Sequence, residues 1–144
     1  MTPHELSHQW FYGFIGSNHA LEPWLDEALA TYAELLYYER YHPEKVDWWW
    51  SVRIYKPVPT GYVDSDIWIE GGYITYRDAV YLQGVHFLHE IRQTIGDGAF
   101  FASIKDYAYT NTYNLATKND FFEAFARHSN QDLSPIISKY FQNP

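Results

Sequence analysis

The chain has 144 residues, the size of one ordinary domain, and it is long enough to bury a hydrophobic core. Its formal net charge of −8 argues against nucleic acids and anionic membrane surfaces as partners, because both carry negative charge. It contains no cysteine, which excludes a disulfide framework. No apolar run reaches the length of a transmembrane segment and no signal peptide is visible, so the localisation stays unknown.

The sequence HELSH occupies residues 4–8, almost at the start of the chain. Two histidines four residues apart on a helix share one face, about 6 Å apart along the axis, so both imidazoles can bind one metal ion. The glutamate beside the first histidine can then hold or deprotonate a water, as in the HExxH pattern of zinc peptidases. A capping box of Thr2 and Glu5, with Pro3 at the first helical position, predicts a helix over residues 3–14. The competing interpretation is two surface histidines on an aromatic helix.

A second helix is predicted to begin near Pro23, and one of its faces is polar. Glu27 follows His8 after eighteen intervening residues, and two histidines with one glutamate are a known ligand set for catalytic zinc. Thr31 and Glu34 share the face of Glu27, so we expect them to hydrogen-bond the metal ligands from behind. A solvated polar surface is an equally good interpretation of Glu34. Another face is predicted to be buried and carries Leu25, Ala28, Leu29, Tyr32, Leu35 and Leu36.

At these residues the sequence resembles the gluzincin aminopeptidases, the group of aminopeptidase N and leukotriene hydrolase. Their pattern is HExxH-x18-E with WL(N/D)E around the third ligand, and the matching stretches here are HELSHQW and WLDEALATY. The resemblance implies one zinc ion per chain, held by His4, His8 and Glu27, with Glu5 as general base. It implies a mainly α fold, the multi-helical half of a thermolysin-like zinc peptidase catalytic domain. Residues 1–144 are accordingly expected to form a single helical domain, truncated at its N-terminal side, where the family has a sheet.

Residues 42–75 lose the helical period and are punctuated by proline and glycine, which predicts a long irregular segment. Residues 51–55 and 66–70 are expected to be short extended pieces. Helical structure within the segment stays open as an alternative, because an irregular stretch of this length is unusual in a compact domain. The three consecutive tryptophans at 48–50 cannot all face one way, so they either line a substrate groove or clamp the segment against the helices.

A third helix is predicted from residue 75 or 78 to about residue 95, with capping-box spacing at its start. Within it, YLQGV at 81–85 followed by IGD at 95–97 resembles the family's Tyr-x-(Lys/Arg)-Gly-Ala segment and its downstream turn. The resemblance implies that Tyr81 is the catalytic tyrosine, whose hydroxyl donates to the negatively charged oxygen of the tetrahedral intermediate. Glutamine and valine replace the family's basic residue and alanine here, which leaves Tyr76 as the alternative donor.

His86 and His89, followed by Glu90, have a helical spacing that raises the question of a second metal site. No third ligand is in view, so two partly exposed helix histidines are the preferred interpretation. Further helices are predicted to begin at Asp97, at Thr117 with Asp120 as its capping partner, and at Ser134.

The predicted function is aminopeptidase-like, zinc-dependent hydrolysis of peptide bonds, with a zinc-bound water as nucleophile and Glu5 as the base. The family's aminopeptidases grip the free amine through a glycine-rich motif that this sequence lacks, so exopeptidase and endopeptidase action both stay open. The alternative is a non-catalytic zinc-binding helical module, or an inactive fragment that awaits a missing N-terminal subdomain. Self-association through the uncovered surface is a further expectation. One branch of the family hydrolyses an epoxide, and nothing in this sequence selects that reaction.

Overall fold

The computed structural model describes residues 3–144, and its elements are mainly helical, as predicted. The α-helices are α1 (Pro3–Ser7), α2 (Trp24–Tyr41), α3 (Val46–Trp48), α4 (Gly72–Tyr76), α5 (Gly84–Thr110), α6 (Lys118–His128) and α7 (Ser134–Tyr140). A 3-10 helix (Pro43–Lys45) precedes α3, and π-helical segments at Trp49–Ile54 and Arg77–Gln83 follow α3 and α4. Strands β1 (Gly16–Ser17) and β2 (Leu115–Ala116) form one parallel pair. Within residues 3–144, no helix is long and apolar enough to cross a membrane.

Helix α2 is central to the fold, since it packs against α1, against the π-helical segment Arg77–Gln83 and against α5. It begins directly after Pro23, as predicted, and its first turn carries the two acidic residues Asp26 and Glu27, which the positive end of the helix dipole favours. The predicted apolar face is buried, with Leu36 only partly so. Gly84 allows α5 to approach this face closely, because a Cβ atom there would lie 2.4 Å from the Cβ of Ala28.

An aromatic cluster fills the core around the start of α2. The Trp24 side chain is fully buried, and its ring makes edge-to-face contacts with Phe87, Phe121 and Phe141 at centroid distances of 5.9, 5.1 and 5.2 Å. Such pairs add to the free energy gained by burying the rings. The cluster therefore ties α2 to α5, to α6 and to the end of α7.

The first helix is shorter than predicted. α1 ends at Ser7, and the chain continues to residue 14 in tight turns. Tyr12 adopts a positive φ of 115°, a backbone conformation that an α-helix does not allow. His8 lies in the first of these turns, so it still follows His4 at helical spacing. The predicted cap Thr2 lies outside the described residues.

The segment 42–75 is more helical than predicted. Residues 43–54 form consecutive helical turns, so the prediction of an extended piece at 51–55 is wrong. The piece expected at 66–70 consists of turns instead. Burial of Trp49 and Ile54 against the rest of the core favours this winding, a tertiary effect that local sequence does not report. Trp48 is exposed and Trp49 is buried, so the tryptophans both clamp the segment and line a cleft.

Three of the later predicted boundaries are correct and one is wrong. Gly96 interrupts α5 with φ 80° and ψ 160°, at the predicted helix end. Thr117 and Asp120 form the predicted capping box at the start of α6. The box predicted at residues 75–78 is absent, because α4 already begins at Gly72, after Gly71 in the left-handed conformation. α7 begins at Ser134, as predicted.

Candidate metal centre

Three side chains converge where α1 meets the first turn of α2. The Nε2 atoms of His4 and His8 lie 3.1 Å apart. The Oε2 atom of Glu27 lies 3.3 Å from the first of these nitrogens and 3.6 Å from the second. The three residues that the sequence predicts as zinc ligands are thus brought together, and they present one ligand atom each to a common point.

This triangle fits a tetrahedral zinc ion. Ligand atoms about 2.0–2.1 Å from such an ion lie about 3.3–3.4 Å from one another, close to the distances between the three atoms here. Within residues 3–144, the buried Glu27 Oε2 atom has no aligned hydrogen-bond donor. A buried carboxylate oxygen without a donor is costly, and a cation at the centre of the triangle removes that cost.

His4 is held from behind by α2. Its Nδ1 atom lies 3.3 Å from the Thr31 hydroxyl oxygen and 3.7 Å from a carboxylate oxygen of Glu34. The Thr31 hydroxyl donates to the main-chain oxygen of Glu27 at 2.7 Å, so a lone pair of that hydroxyl is left to accept from His4. A proton on Nδ1 leaves the Nε2 lone pair of His4 free for a metal.

Glu34 is a buried hub and not a solvated surface residue. Its carboxylate accepts from the indole nitrogen of Trp49 at 3.0 Å. It also accepts from Nε and Nη2 of Arg53, each at 3.2 Å, in a bidentate pair. Glu34 therefore links the helical turns of residues 43–54 to the back of His4.

His8 has a corresponding set of partners that the sequence analysis did not identify. Its Nδ1 atom lies 3.2 Å from the main-chain oxygen of Phe11 and 3.0 Å from Oδ1 of Asp26. The first contact has hydrogen-bond geometry, whereas the second is close but not aligned. The other Asp26 oxygen, Oδ2, lies 2.6 Å from Nδ1 of His19. The position of Asp26 directly before a predicted ligand was the only sequence signal for this arrangement.

The adjacent carboxyls of Asp26 and Glu27 have opposite electrostatic environments. Burial raises the pKa of Asp26, the neighbouring Glu27 charge raises it further, and His19 only partly opposes this. Burial also disfavours the charged form of Glu27, but the polar groups of His4, Tyr81 and His8 close to its carboxylate outweigh burial and lower the pKa of Glu27. Glu27 is therefore held as the anion that a metal ligand must be.

Tyr81 and Glu5 face the metal triangle across a cleft of about 470 Å³. The Tyr81 ring stacks on His4 with a centroid distance of 5.8 Å, and Glu5 is exposed to the solvent of the cleft. Burial, followed by the Glu27 carboxylate, raises the pKa of Tyr81 far above its ordinary value, so its hydroxyl is a neutral donor. Tyr76, whose pKa burial raises to about 12, packs against Tyr81 and is not part of the cleft lining.

No family model matches the chain, but individual proteins do. Aminopeptidase N of Lactococcus lactis subsp. lactis is 24% identical over 160 aligned residues, which cover 100% of this chain and 18% of that protein. The probable aminopeptidase 2 of Sulfurisphaera tokodaii is 26% identical, covering 97% of this chain and 19% of that protein. The chain is related to the gluzincin aminopeptidase N family. It spans about a fifth of the length of these curated relatives.

The fold of the chain also matches solved structures. An M1 zinc metallopeptidase from Deinococcus radiodurans, a mutant bound to the substrate Tyr-Ser-Ala, superposes with a TM-score of 0.72 at 23% identity. The match covers 96% of this chain and 31% of that protein. The predicted helical fold is therefore confirmed, and it corresponds to one part of the M1 metallopeptidase fold.

The cleft extends beyond the metal triangle, where aromatic and basic side chains line it. These residues are Tyr38, Trp48, Trp49, Arg53, Tyr73 and Arg77. From the sequence alone, the three tryptophans could either line a groove or clamp the segment, and Trp48 and Trp49 line this cleft.

His86 and His89 lie outside this cleft. Nδ1 of His89 is 3.1 Å from the Tyr32 hydroxyl, and its ring packs against Trp50 at a centroid distance of 4.7 Å. Glu90 accepts instead from Lys139 at 2.6 Å and from the Tyr140 hydroxyl at 2.8 Å, which fastens α7 to α5. Burial lowers the pKa of both histidines, so they act as neutral packing groups.

Proposed function

We propose that this chain carries the zinc-binding and catalytic wall of a metallopeptidase with aminopeptidase-like chemistry. The observation that supports the proposal most strongly is the triangle of His4, His8 and Glu27, whose ligand atoms have tetrahedral spacing. Glu5, in the helix that carries the first ligand, and Tyr81 both line the cleft at this triangle. The similar proteins described above, which are aminopeptidases and zinc metallopeptidases, agree with this chemistry.

One zinc ion per chain, held by the three ligands, would supply a Lewis acid that acidifies a water and polarises the scissile carbonyl group. Glu5 then accepts the proton of the attacking water and passes it to the leaving amine. Tyr81 donates a hydrogen bond from its neutral hydroxyl to the oxygen on which negative charge develops. His4 and His8 keep their protons on Nδ1, where Thr31, Phe11 and Asp26 offer acceptors.

The lining of the cleft supports a peptide as the class of substrate. Its indole and phenol rings can pack against the side chains of an extended peptide, and its two guanidinium groups can donate to the main-chain carbonyl groups. We propose a peptide as the substrate, with a further subdomain supplying the opposite wall. Recognition of the peptide's N-terminus would belong to that subdomain.

The rival proposal is a helical module that binds zinc without catalysis, or a fragment without activity of its own. Glu5 distinguishes the two. Within residues 3–144 it is exposed and takes part in no ion pair, so a purely structural site gives it no role. A catalytic site needs a carboxylate at this position.

The test measures zinc and peptide hydrolysis together. Protein purified without metal-affinity steps should contain about one zinc per chain by elemental analysis, and Glu27→Ala should contain much less. Glu5→Gln should keep the zinc and lower kcat on a peptide library by at least about 100-fold. Low zinc in the parent would contradict the metal site, and equal hydrolysis by parent and Glu5→Gln would contradict the catalytic role. Full zinc with no hydrolysis in the parent would favour the non-catalytic module.

A further inference from the structure

A line of polar contacts runs from the protein surface to the metal triangle. The His19 side chain lies in the segment between β1 and α2 and is 47% exposed. Its Nδ1 atom is 2.6 Å from Oδ2 of Asp26, whose side chain is only 2% exposed. The other oxygen of Asp26 is 3.0 Å from Nδ1 of His8. The line therefore runs from His19 through Asp26 to His8, one corner of the metal triangle.

His19 and Asp26 are not themselves ligands of a second metal ion. Together with Glu27 they offer ligand atoms that all lie within 4.8 Å of one another, which is why a metal site has to be considered. However, the 2.6 Å between His19 Nδ1 and Asp26 Oδ2 is much shorter than the spacing of about 3.3–3.4 Å between ligand atoms of tetrahedral zinc. At this distance the two atoms are joined by a hydrogen bond, in which the His19 nitrogen donates to the carboxylate.

The hydrogen bond from His19 determines how Asp26 meets His8. A carboxylate held at one oxygen can no longer turn about its Cβ–Cγ bond, so its second oxygen stays beside His8 Nδ1. The main-chain oxygen of Phe11 accepts a hydrogen bond from that nitrogen at 3.2 Å, and the Asp26 oxygen, although it is not aligned for a hydrogen bond, lies 3.0 Å away and attracts the same proton. They keep its proton on Nδ1 and hold the ring so that Nε2 points into the triangle. Without His19, only Phe11 would hold the ring in this way.

We propose that His19 is a positioning residue of the metal centre, which orients His8 through Asp26 and thereby strengthens zinc binding. The inference rests on the proposed function, since it assumes that the triangle binds zinc. A simpler role for His19 is to tether the segment before α2 to the helix. The two roles differ in what they change, because a tether affects folding stability whereas a positioning residue affects the affinity for zinc in the folded protein.

The experiment compares His19→Ala with His19→Asn and with the matched control His128→Ala. The amide nitrogen of asparagine can take the place of the imidazole Nδ1 atom and donate to Asp26. His128 forms another histidine–aspartate pair, since its Nε2 is 3.1 Å from Asp106 Oδ2 far from the metal triangle. For each variant of the full chain, the zinc dissociation constant is measured by competition with a chromogenic chelator. The Tm of the metal-free protein and the visible absorption of the cobalt-substituted protein are recorded beside it.

We expect His19→Ala to weaken zinc binding by about 10-fold or more, the effect typical of losing an outer partner of a metal-binding histidine. His19→Asn should recover most of the affinity, because it can donate to Asp26 again, and His128→Ala should bind zinc like the parent. The metal-free Tm of His19→Ala should fall, since a buried carboxylate loses its donor, and His19→Asn should recover most of that fall as well. A changed cobalt spectrum in His19→Ala would support altered ligand geometry.

Three outcomes would overturn the inference. Parent-like zinc affinity in His19→Ala would show that the line of contacts does not act on the metal, while the proposed function would stand. Affinity that stays low in His19→Asn although its metal-free Tm recovers would show that the hydrogen bond to Asp26 is not what acts on the metal site. A parent that binds no zinc would overturn both proposals at once.

Discussion

Trp24 and Glu27 lie three residues apart in the first turn of α2, yet they belong to regions that are built in opposite ways. Trp24 is surrounded by phenylalanine rings, and its environment depends on volume and burial. Glu27 is surrounded by histidine, tyrosine and aspartate, and its environment depends on the placement of single atoms. One helix therefore anchors the core and carries one of the three predicted metal ligands.

The difference shows that the aromatic region supplies free energy of folding, whereas the polar region forms the candidate site. Burial of large aromatic rings is non-directional and tolerates small shifts, so the cluster around Trp24 stabilises the fold. The polar region includes the buried Glu27 Oε2 and Asp26 Oδ1 atoms, which have no aligned donor among residues 3–144. Such atoms lower stability, as does the buried indole nitrogen of Trp24, which has no partner among these residues either. Only the carboxylate oxygens, however, are of the kind that a bound cation would satisfy. The aromatic region thus offsets the cost of the polar one.

The largest expected effect is that of Trp24→Ala. Removal of a fully buried indole ring leaves a cavity among three phenylalanines, so the free energy of unfolding should fall by about 3–5 kcal/mol. Urea unfolding followed by circular dichroism measures this fall. Trp68→Ala, at a side chain that is 65% exposed, is the matched control and should change stability by less than about 0.5 kcal/mol. A loss below about 1 kcal/mol for Trp24→Ala would mean that the aromatic cluster is not the main anchor.

The two regions also differ in how far sequence alone could predict them. Local patterns predicted α2, the break at Gly96 and the capping box at Thr117, because each depends on residues only a few positions apart. The spacing of HELSH and Glu27 predicted which side chains converge, although their role as zinc ligands stays a prediction.

Contacts between distant residues could not be read from these patterns. The winding of residues 43–54 depends on Trp49 and Arg53 reaching Glu34 on α2, 15 and 19 residues away. The contact between His19 and Asp26 joins an irregular loop to α2, and no sequence periodicity relates the two residues. The missed features are therefore those in which tertiary packing decides local structure.

An intermediate effect, on zinc affinity, is expected for Glu34→Gln, which changes hydrogen bonding in the polar region while keeping the size of the side chain. The amide offers one acceptor oxygen in place of two, so it cannot satisfy Trp49 and both donor nitrogens of Arg53 together. Loss of this support behind His4 should weaken zinc binding by about 10-fold. Chelator competition measures the affinity, and Glu123→Gln, at an exposed carboxylate on α6, is the control that should bind zinc like the parent. Equal affinities for both variants would show that Glu34 serves only the fold.

The smallest effect is expected at Tyr32, where the two kinds of environment meet in one side chain. Its ring packs against Phe100 in the core, and its hydroxyl lies 3.1 Å from Nδ1 of His89 and within reach of Arg92. Burial raises the pKa of Tyr32 to about 12, although Arg92 opposes this.

Since the folded pKa of Tyr32 is raised above the unfolded value of about 10, the stability linked to its protonation is complete below pH 10 and is lost as the pH rises toward 12. The parent should therefore lose about 1 kcal/mol more than Tyr32→Phe in unfolding free energy between about pH 10 and pH 11. Tyr109→Phe, at a side chain that is 74% exposed, should follow the parent. If Tyr32→Phe loses stability as steeply as the parent, the buried hydroxyl is not protected from ionisation, and the packing around Tyr32 is looser than around Trp24.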